Sequence, residues 1–224
     1  EVYRFENGVS RKNGHLCWDI DTLAKEVING LKAAHDAGFA PSTIGIDTWA
    51  VDFVLLDEQG KRLGDAVAYR DERTEGIREA LEKDYGLTFA EHYARTGIQY
   101  QPFNTVYQLM ALKKEHPEQL DAAKIFLMVP DYLNYLLCGV AANEYTNAST
   151  TALVGADSKD WDEELIAKLG LPHRKKTKSG YSTNVEVLEA LKDKHPVVQA
   201  IMDYRMLTKL KSTYADGLQK EIAP

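Results

Sequence analysis

Residues 42–71, STIGIDTWAVDFVLLDEQGKRLGDAVAYRD, open with Asp47 and Asp52 set inside a run, IGIDTWAVDFVLL, otherwise rich in Ile, Val and Leu. That density of branched and aromatic residues predicts buried β-structure. The polar DEQGK at 57–61 supplies a turn, so the stretch is expected to be a hairpin whose second strand resumes at AVAYRD. Successive side chains of a strand face opposite ways, which puts Asp47, Trp49 and Val51 on one side and Thr48, Ala50 and Asp52 on the other. A buried polar group left without a partner costs roughly 2–7 kcal/mol. Each aspartate is therefore expected either to take hydrogen bonds from backbone amides of a bent strand or to face a cleft holding a polar ligand. Arg70 and Asp71, at the end of the returning strand, either converge on that cluster or form a surface ion pair.

The surrounding sequence alternates helix and strand signals. A helix N-capped by Asp21 carries Leu23, Val27 and Leu31 along one face and closes at Gly38, with His35 in its last turn. Further helices are expected over 74–83, 88–94 and 104–115, the last ended near His116-Pro117. KIFLMVP reads as a short buried strand leading into PDYLNYLLCG, a helix opened by Pro130 and closed by Gly139. NEYTNASTTALV reads as extended, and DWDEELIAKLGLP as a capped short helix. The opening EVYRF is strand-like and has no initiator Met, as expected of a piece of a longer protein.

Composition excludes several classes of function. With 224 residues, 44% of them hydrophobic, the chain has the material for one or two domains with a real core. No run approaches eighteen apolar residues and the N-terminus lacks a signal pattern, so a cytoplasmic protein is expected. Cys17 and Cys138 are isolated, and the six histidines show neither HExxH spacing nor clustering, so neither a disulfide framework nor a metal site is expected. Charge is split unevenly: residues 173–224 carry +4, leaving −11 on residues 1–172 of the total −7. The change falls in KLGLPHRKKTKSGYST (168–183), where an acidic α/β pattern gives way to a basic helical one.

Beyond these local readings, RFENG, CWDID, IGIDTWAVDFVLLDEQG, VAYRDERT, RTGIQYQPFNTVYQL, LMVPDYLNYLLCG, NEYTNASTTALV and DWDEEL occur in an order and spacing that resembles the N-terminal domain of the FGGY carbohydrate kinases. The likeness is to their rhamnulokinase branch, which phosphorylates L-rhamnulose with ATP, and it covers residues 1–172. Gln108 and Ala111 stand where many other branches carry Lys and Trp, and Ala50 stands where this branch usually has Gly. The resemblance implies an actin-like, RNase H-like α/β domain, and it implies Asp47, Thr48, Trp49, Ala50, Arg70 and Phe103 as the ketose site. ATP and Mg²⁺ are implied for the complete enzyme. The family's glycine-containing phosphate loop is expected before EVYRF, and its catalytic Asp in a second domain. No GxxxxGK[ST] or GxGxxG stands in for that loop, so an inactive fragment is expected. Another sugar kinase of the family is the alternative.

Residues 173–224 follow a different pattern. KKTKSGYST, the VLEAL helix and YRMLTKLKSTYADGL resemble the thumb of a family A DNA polymerase, the DNA polymerase I type. Thr183 to Glu186 forms a T-x-x-E capping box, and His195-Pro196 opens a second helix. Lys209, Lys211, Ser212 and Thr213 offer the charge and hydroxyls that hold duplex DNA phosphates without reading sequence; the alternative is a solvated helical surface. The expectation is a chimera: an incomplete kinase domain over 1–172 and an α-helical thumb-like segment over 173–224.

Overall fold

The computed structural model describes residues 1–39 and 43–172. The expectations for 40–42 and for 173–224, including the thumb-like helices and Lys209, Lys211, Ser212 and Thr213, lie outside the described residues.

The first regular structure is a hairpin of β1 (Val9–Lys12) and β2 (His15–Trp18), not a strand at EVYRF. Its two-residue turn places Asn13 at φ 51° and Gly14 at φ 92°. Both angles are positive, as the turn that matches strand twist requires, and Asn-Gly tolerates them best. Helix α1 (Ile20–Asp36) follows, capped by Asp19 rather than Asp21: the Asp19 carboxylate accepts from Thr22 N at 3.2 Å and from Thr22 Oγ1 at 2.9 Å. Asp21, within the first turn, instead pairs with Arg62 at 2.6 Å. The helix ends as expected, with Gly38 at φ 83° donating to His35 O.

The hairpin at 57–61 is present, with Asp57 Oδ1 accepting from Gln59 N and Lys61 N. It joins β3 (Phe53–Leu56) to β4, which is only Arg62–Leu63. AVAYRD does not continue it. Gly64, at φ 66°, turns the chain away, and Ala66 and Ala68 bond Trp18 and Leu16 of β2 instead. The other edge of β3 is taken by β5 (Ile125–Met128), antiparallel, with Phe53 opposite Met128 and Leu56 opposite Ile125.

Eight helices are described in all. After α1 and a 3-10 turn at Glu72–Thr74 come α2 (Ile77–Tyr85), α3 (Phe89–Thr96), α4 (Thr105–Glu115) and α5 (Pro117–Ala122), then α6 (Val129–Cys138), α7 (Tyr145–Ser149) and α8 (Glu163–Lys168). Helix α7 corrects the extended reading of NEYTNAS. The Glu144 carboxylate accepts from Thr146 N and Asn147 N, capping a helix whose residues have little intrinsic preference for one. The sheet separates two cores by its period of two. Phe53 and Leu55 pack with residues of α2, α4 and α8, whereas Val54 and Leu56 pack with residues of α1 and α6. This is the layered α/β arrangement expected, and α4 lies deep within it, buried at every position from Thr105 to Leu112. Among the described residues no helix is long and apolar enough to cross a membrane.

Asp131, in the first turn of α6, is 6% exposed; its Oδ1 accepts from Glu144 N at 3.1 Å and its Oδ2 is buried with no partner. Burial, reinforced by the Glu144 carboxylate, pushes its carboxyl up to about 6. The folded state thus holds this proton more tightly than the unfolded chain. The cost of ionising Asp131 is absent below the unfolded value near 4, grows through the window from about 4 to about 6, and is complete above it. Relative to Asp131→Asn, the native protein is expected to lose on the order of 2–3 kcal/mol between pH 4 and pH 7.5, measured by urea unfolding of both proteins across that range.

Candidate functional site

Residues 43–49 form no regular strand, and the chain enters β3 through a tight turn in which Asp52 N donates to Ala50 O at 2.9 Å. Its central residue, Val51, sits at φ 66°. A three-residue turn of this hand is rare and strained, and a β-branched side chain makes it worse, at about 1–3 kcal/mol. Helix α4 holds it in place: Val51 O accepts from Thr105 Oγ1 at 2.7 Å and from Gln108 Nε2 at 3.2 Å. The turn breaks the alternation expected through 47–52, so Trp49 and Asp52, predicted on opposite faces, come to the same side.

Asp52 is fully buried. Its Oδ2 accepts from Trp18 Nε1 at 2.6 Å, Trp49 Nε1 at 2.9 Å and Tyr69 N at 3.1 Å, and its Oδ1 from Gln108 Nε2 at 3.1 Å. Burial raises its carboxyl above the usual carboxylate range against the downward pull of those four donors. Gln108 continues the chain of bonds, its Oε1 accepting from the Arg73 guanidinium at 3.0 Å. Burial lowers the pKa of Arg73, while Asp71, Glu115 and Asp52 support its charge. A buried carboxylate and a half-buried guanidinium are thus joined through one neutral amide.

Above this network lies an aromatic face. The rings of Trp18 and Trp49 are 4.2 Å apart, and Tyr69 meets the edge of Phe103 at 5.6 Å. Arg70 lies over the Tyr69 ring at 5.1 Å, and its Nε donates to Tyr69 Oη at 3.0 Å. Of the residues expected from sequence, Trp49 and Ala50 are fixed by the turn, Phe103 is tied in by Gln108 Nε2 donating to its carbonyl at 3.0 Å, and Arg70 is tied in through Tyr69. Thr48 is half-buried, with its hydroxyl on Trp49 O, and Asp47 is exposed. Arg70 and Asp71 do not pair. Asp71 turns inward to accept from Leu16 N and Arg73 N and to meet His15 at 2.9 Å, and these partners outweigh burial to hold its carboxyl below the usual range.

Sequence reasoning missed Trp18, Tyr69, Gln108 and Arg73. Gln108 carried a signal: it is the one amide in TVYQLMAL, a helix segment otherwise without a strongly polar side chain. An indole N–H that is buried needs an acceptor, which is the corresponding signal for Trp18. Chemically, aromatic rings beside an exposed carboxylate, a hydroxyl and a guanidinium suit a hydroxylated ligand. Asp52, fully buried with three donors on Oδ2 and one on Oδ1, is shut away from any ligand that could use it as a base. Among the described residues no group of three or more His, Cys, Asp or Glu side chains gathers to hold a metal ion.

Residues 6–202 match the model of the N-terminal domain of the FGGY family of carbohydrate kinases. The rhamnulokinase of Halalkalibacterium halodurans is 55% identical over 170 residues, covering 76% of this chain and 36% of that protein. The rhamnulokinase of Mannheimia succiniciproducens is 47% identical over 172 residues, covering 77% and 35%. The chain thus spans little more than a third of the curated relatives it matches. Xylulose kinase from Lactobacillus acidophilus, solved with ligand, shares the fold at a TM-score of 0.71 and 17% identity, over 84% of this chain and 39% of that one. The family match runs to residue 202, past the seam expected at 172, and the polymerase resemblance and its DNA partner find no support among these relatives.

Replacing Asp52 with Asn leaves one acceptor oxygen where three donors meet, and turns an N–H₂ toward the Gln108 amide. The expected loss is about 2–4 kcal/mol of stability, read by urea unfolding, with a change in the tryptophan fluorescence of the folded protein.

Proposed function

Because the chain belongs to the FGGY family of carbohydrate kinases, we propose that residues 1–172 are the sugar-binding part of a kinase that phosphorylates L-rhamnulose with ATP. Identities of 46–55% to rhamnulokinases support this branch over others of the family. The observation that carries the reading is that IDTWAVDFVLLD, one of the segments that carry the resemblance, builds the strained turn and seats Trp49 on Asp52.

In this reading the apolar face of the ketose packs on Trp49 and Phe103, while Asp47, Thr48 and Arg70 exchange hydrogen bonds with its hydroxyls. Ala50 lines the turn, where its methyl narrows the space beside the sugar. Because the indole N–H of Trp49 is spent on Asp52, this ring offers the sugar a wall, not a donor. FGGY sugar kinases use ATP, usually with a divalent metal. Phosphoryl transfer further needs groups that neutralise the phosphates and a base that takes the sugar hydroxyl proton.

The test is isothermal titration calorimetry of the purified chain with L-rhamnulose. Saturable binding is expected, weakened at least tenfold by Trp49→Ala and several-fold by Arg70→Ala, with both variants keeping the native circular dichroism. Tighter binding of another ketose, such as D-xylulose, would move the assignment to a different branch of the family. Failure to bind any ketose would overturn the proposal.

A further inference from the structure

Gln108 reaches both loops that carry the aromatic face without touching solvent. It is 1% exposed. Its Nε2 donates to Val51 O at 3.2 Å, to Asp52 Oδ1 at 3.1 Å and to Phe103 O at 3.0 Å, sharing two N–H groups among three acceptors. Two of those acceptors belong to the strained turn under Trp49, and the third is the carbonyl of Phe103. On its other side, Oε1 accepts from Arg73 at 3.0 Å. Every neighbour of this side chain in α4 is buried, so an apolar residue would satisfy helix and core with less risk.

We infer that Gln108 is a positioning residue for the sugar site, one that fixes the turn at 50–52 and the Phe103 loop relative to each other and so sets the gap between the rings of Trp49 and Phe103. The inference rests on the sugar reading above. The chemistry at this point admits few substitutes. Asp52 requires a donor and Arg73 requires an acceptor, at the two ends of one planar group. A lysine would donate to Asp52 and set a second cation against Arg73. A glutamate would accept from Arg73 and set a second carboxylate against Asp52. A neutral amide of this length meets both demands.

The test uses the ¹⁵N-labelled chain, whose three tryptophans give three indole N–H resonances. Trp18 and Trp49 donate to Asp52, while Trp161 packs on Phe126 in the other core and reports on folding. Gln108→Met keeps the volume and removes the amide. The expected result is that the Trp18 and Trp49 resonances move while that of Trp161 stays, and that L-rhamnulose affinity falls at least tenfold. Leu165→Ala, in the core near Trp161, should lower the unfolding midpoint yet leave the Trp18 and Trp49 resonances and the affinity within twofold. Should Gln108→Met not fold, Gln108→Glu replaces it: when protonated it regains one donor beside Asp52 and keeps an acceptor for Arg73, which Asp71 and Glu115 also face. Its affinity, normalised to the native protein, is then expected to recover severalfold from pH 8 to pH 5.5. Unmoved Trp18 and Trp49 resonances with affinity within twofold, or a flat pH profile for Gln108→Glu, would overturn the positioning role. If the native chain binds no ketose, the sugar reading falls, and the indole resonances still decide whether Gln108 holds the turn.

Discussion

The carboxylate of Asp52 is the point on which the rest of the structure depends. An ion this deep costs several kcal/mol to desolvate, and only a complete shell of donors offsets that cost. Here the shell comes from four separate places: Trp18 at the end of β2, Trp49 in the loop before β3, the backbone of Tyr69, and Gln108 in α4. Losing any one of them weakens the others, because each bond is strengthened by exclusion of water from its neighbours. The first hairpin, the entry to the sheet and the central helix are therefore fastened together by one side chain, and the rings above it inherit fixed orientations.

The strain at Val51 belongs to the same arrangement. A residue with a branched side chain at φ 66° persists only where its surroundings over-determine it, and two side chains of α4 grip its carbonyl. Without the turn, the pleat would send Trp49 and Asp52 to opposite faces. With it, Trp49 lies on Trp18 and Asp52 sits beneath both. Below the turn the sheet returns to regular alternation, and its two faces sort the core into an α2–α4–α8 side and an α1–α6 side. The site thus stands where a regular, two-faced sheet gives way to an irregular loop. Its precision comes from the helix packed against that loop.

Much of the fold was legible because its signals are local. Gly38 and Gly139 close helices by adopting backbone angles that other residues resist, Pro117 ends α4, and DEQGK turns β3 into β4. Readings failed where two local solutions compete. Asp19 and Asp21 are equally good capping residues, and only the position of Arg62 draws Asp21 into an ion pair. The residues of NEYTNAS favour extended structure until Glu144 folds back over their first amides. AVAYRD has the composition of a strand, and which strand it joins was settled by Gly64 turning it toward β2.

The sequence alone determined that this is an α/β chain with polar groups set into a buried run, and the order of its motifs pointed to the sugar-kinase family it belongs to. The resemblance named Asp47, Thr48, Trp49, Ala50, Arg70 and Phe103 as candidates because those positions sit in its motifs. Tertiary structure decided which aspartate is exposed and which is buried, and which residues keep the buried one satisfied. The physical reason is that periodicity reports which way a side chain points only while the backbone stays regular. At Val51 it does not, and the donors that make Asp52 tolerable come from residues 18, 49, 69 and 108, separations over which only the packed fold determines contact.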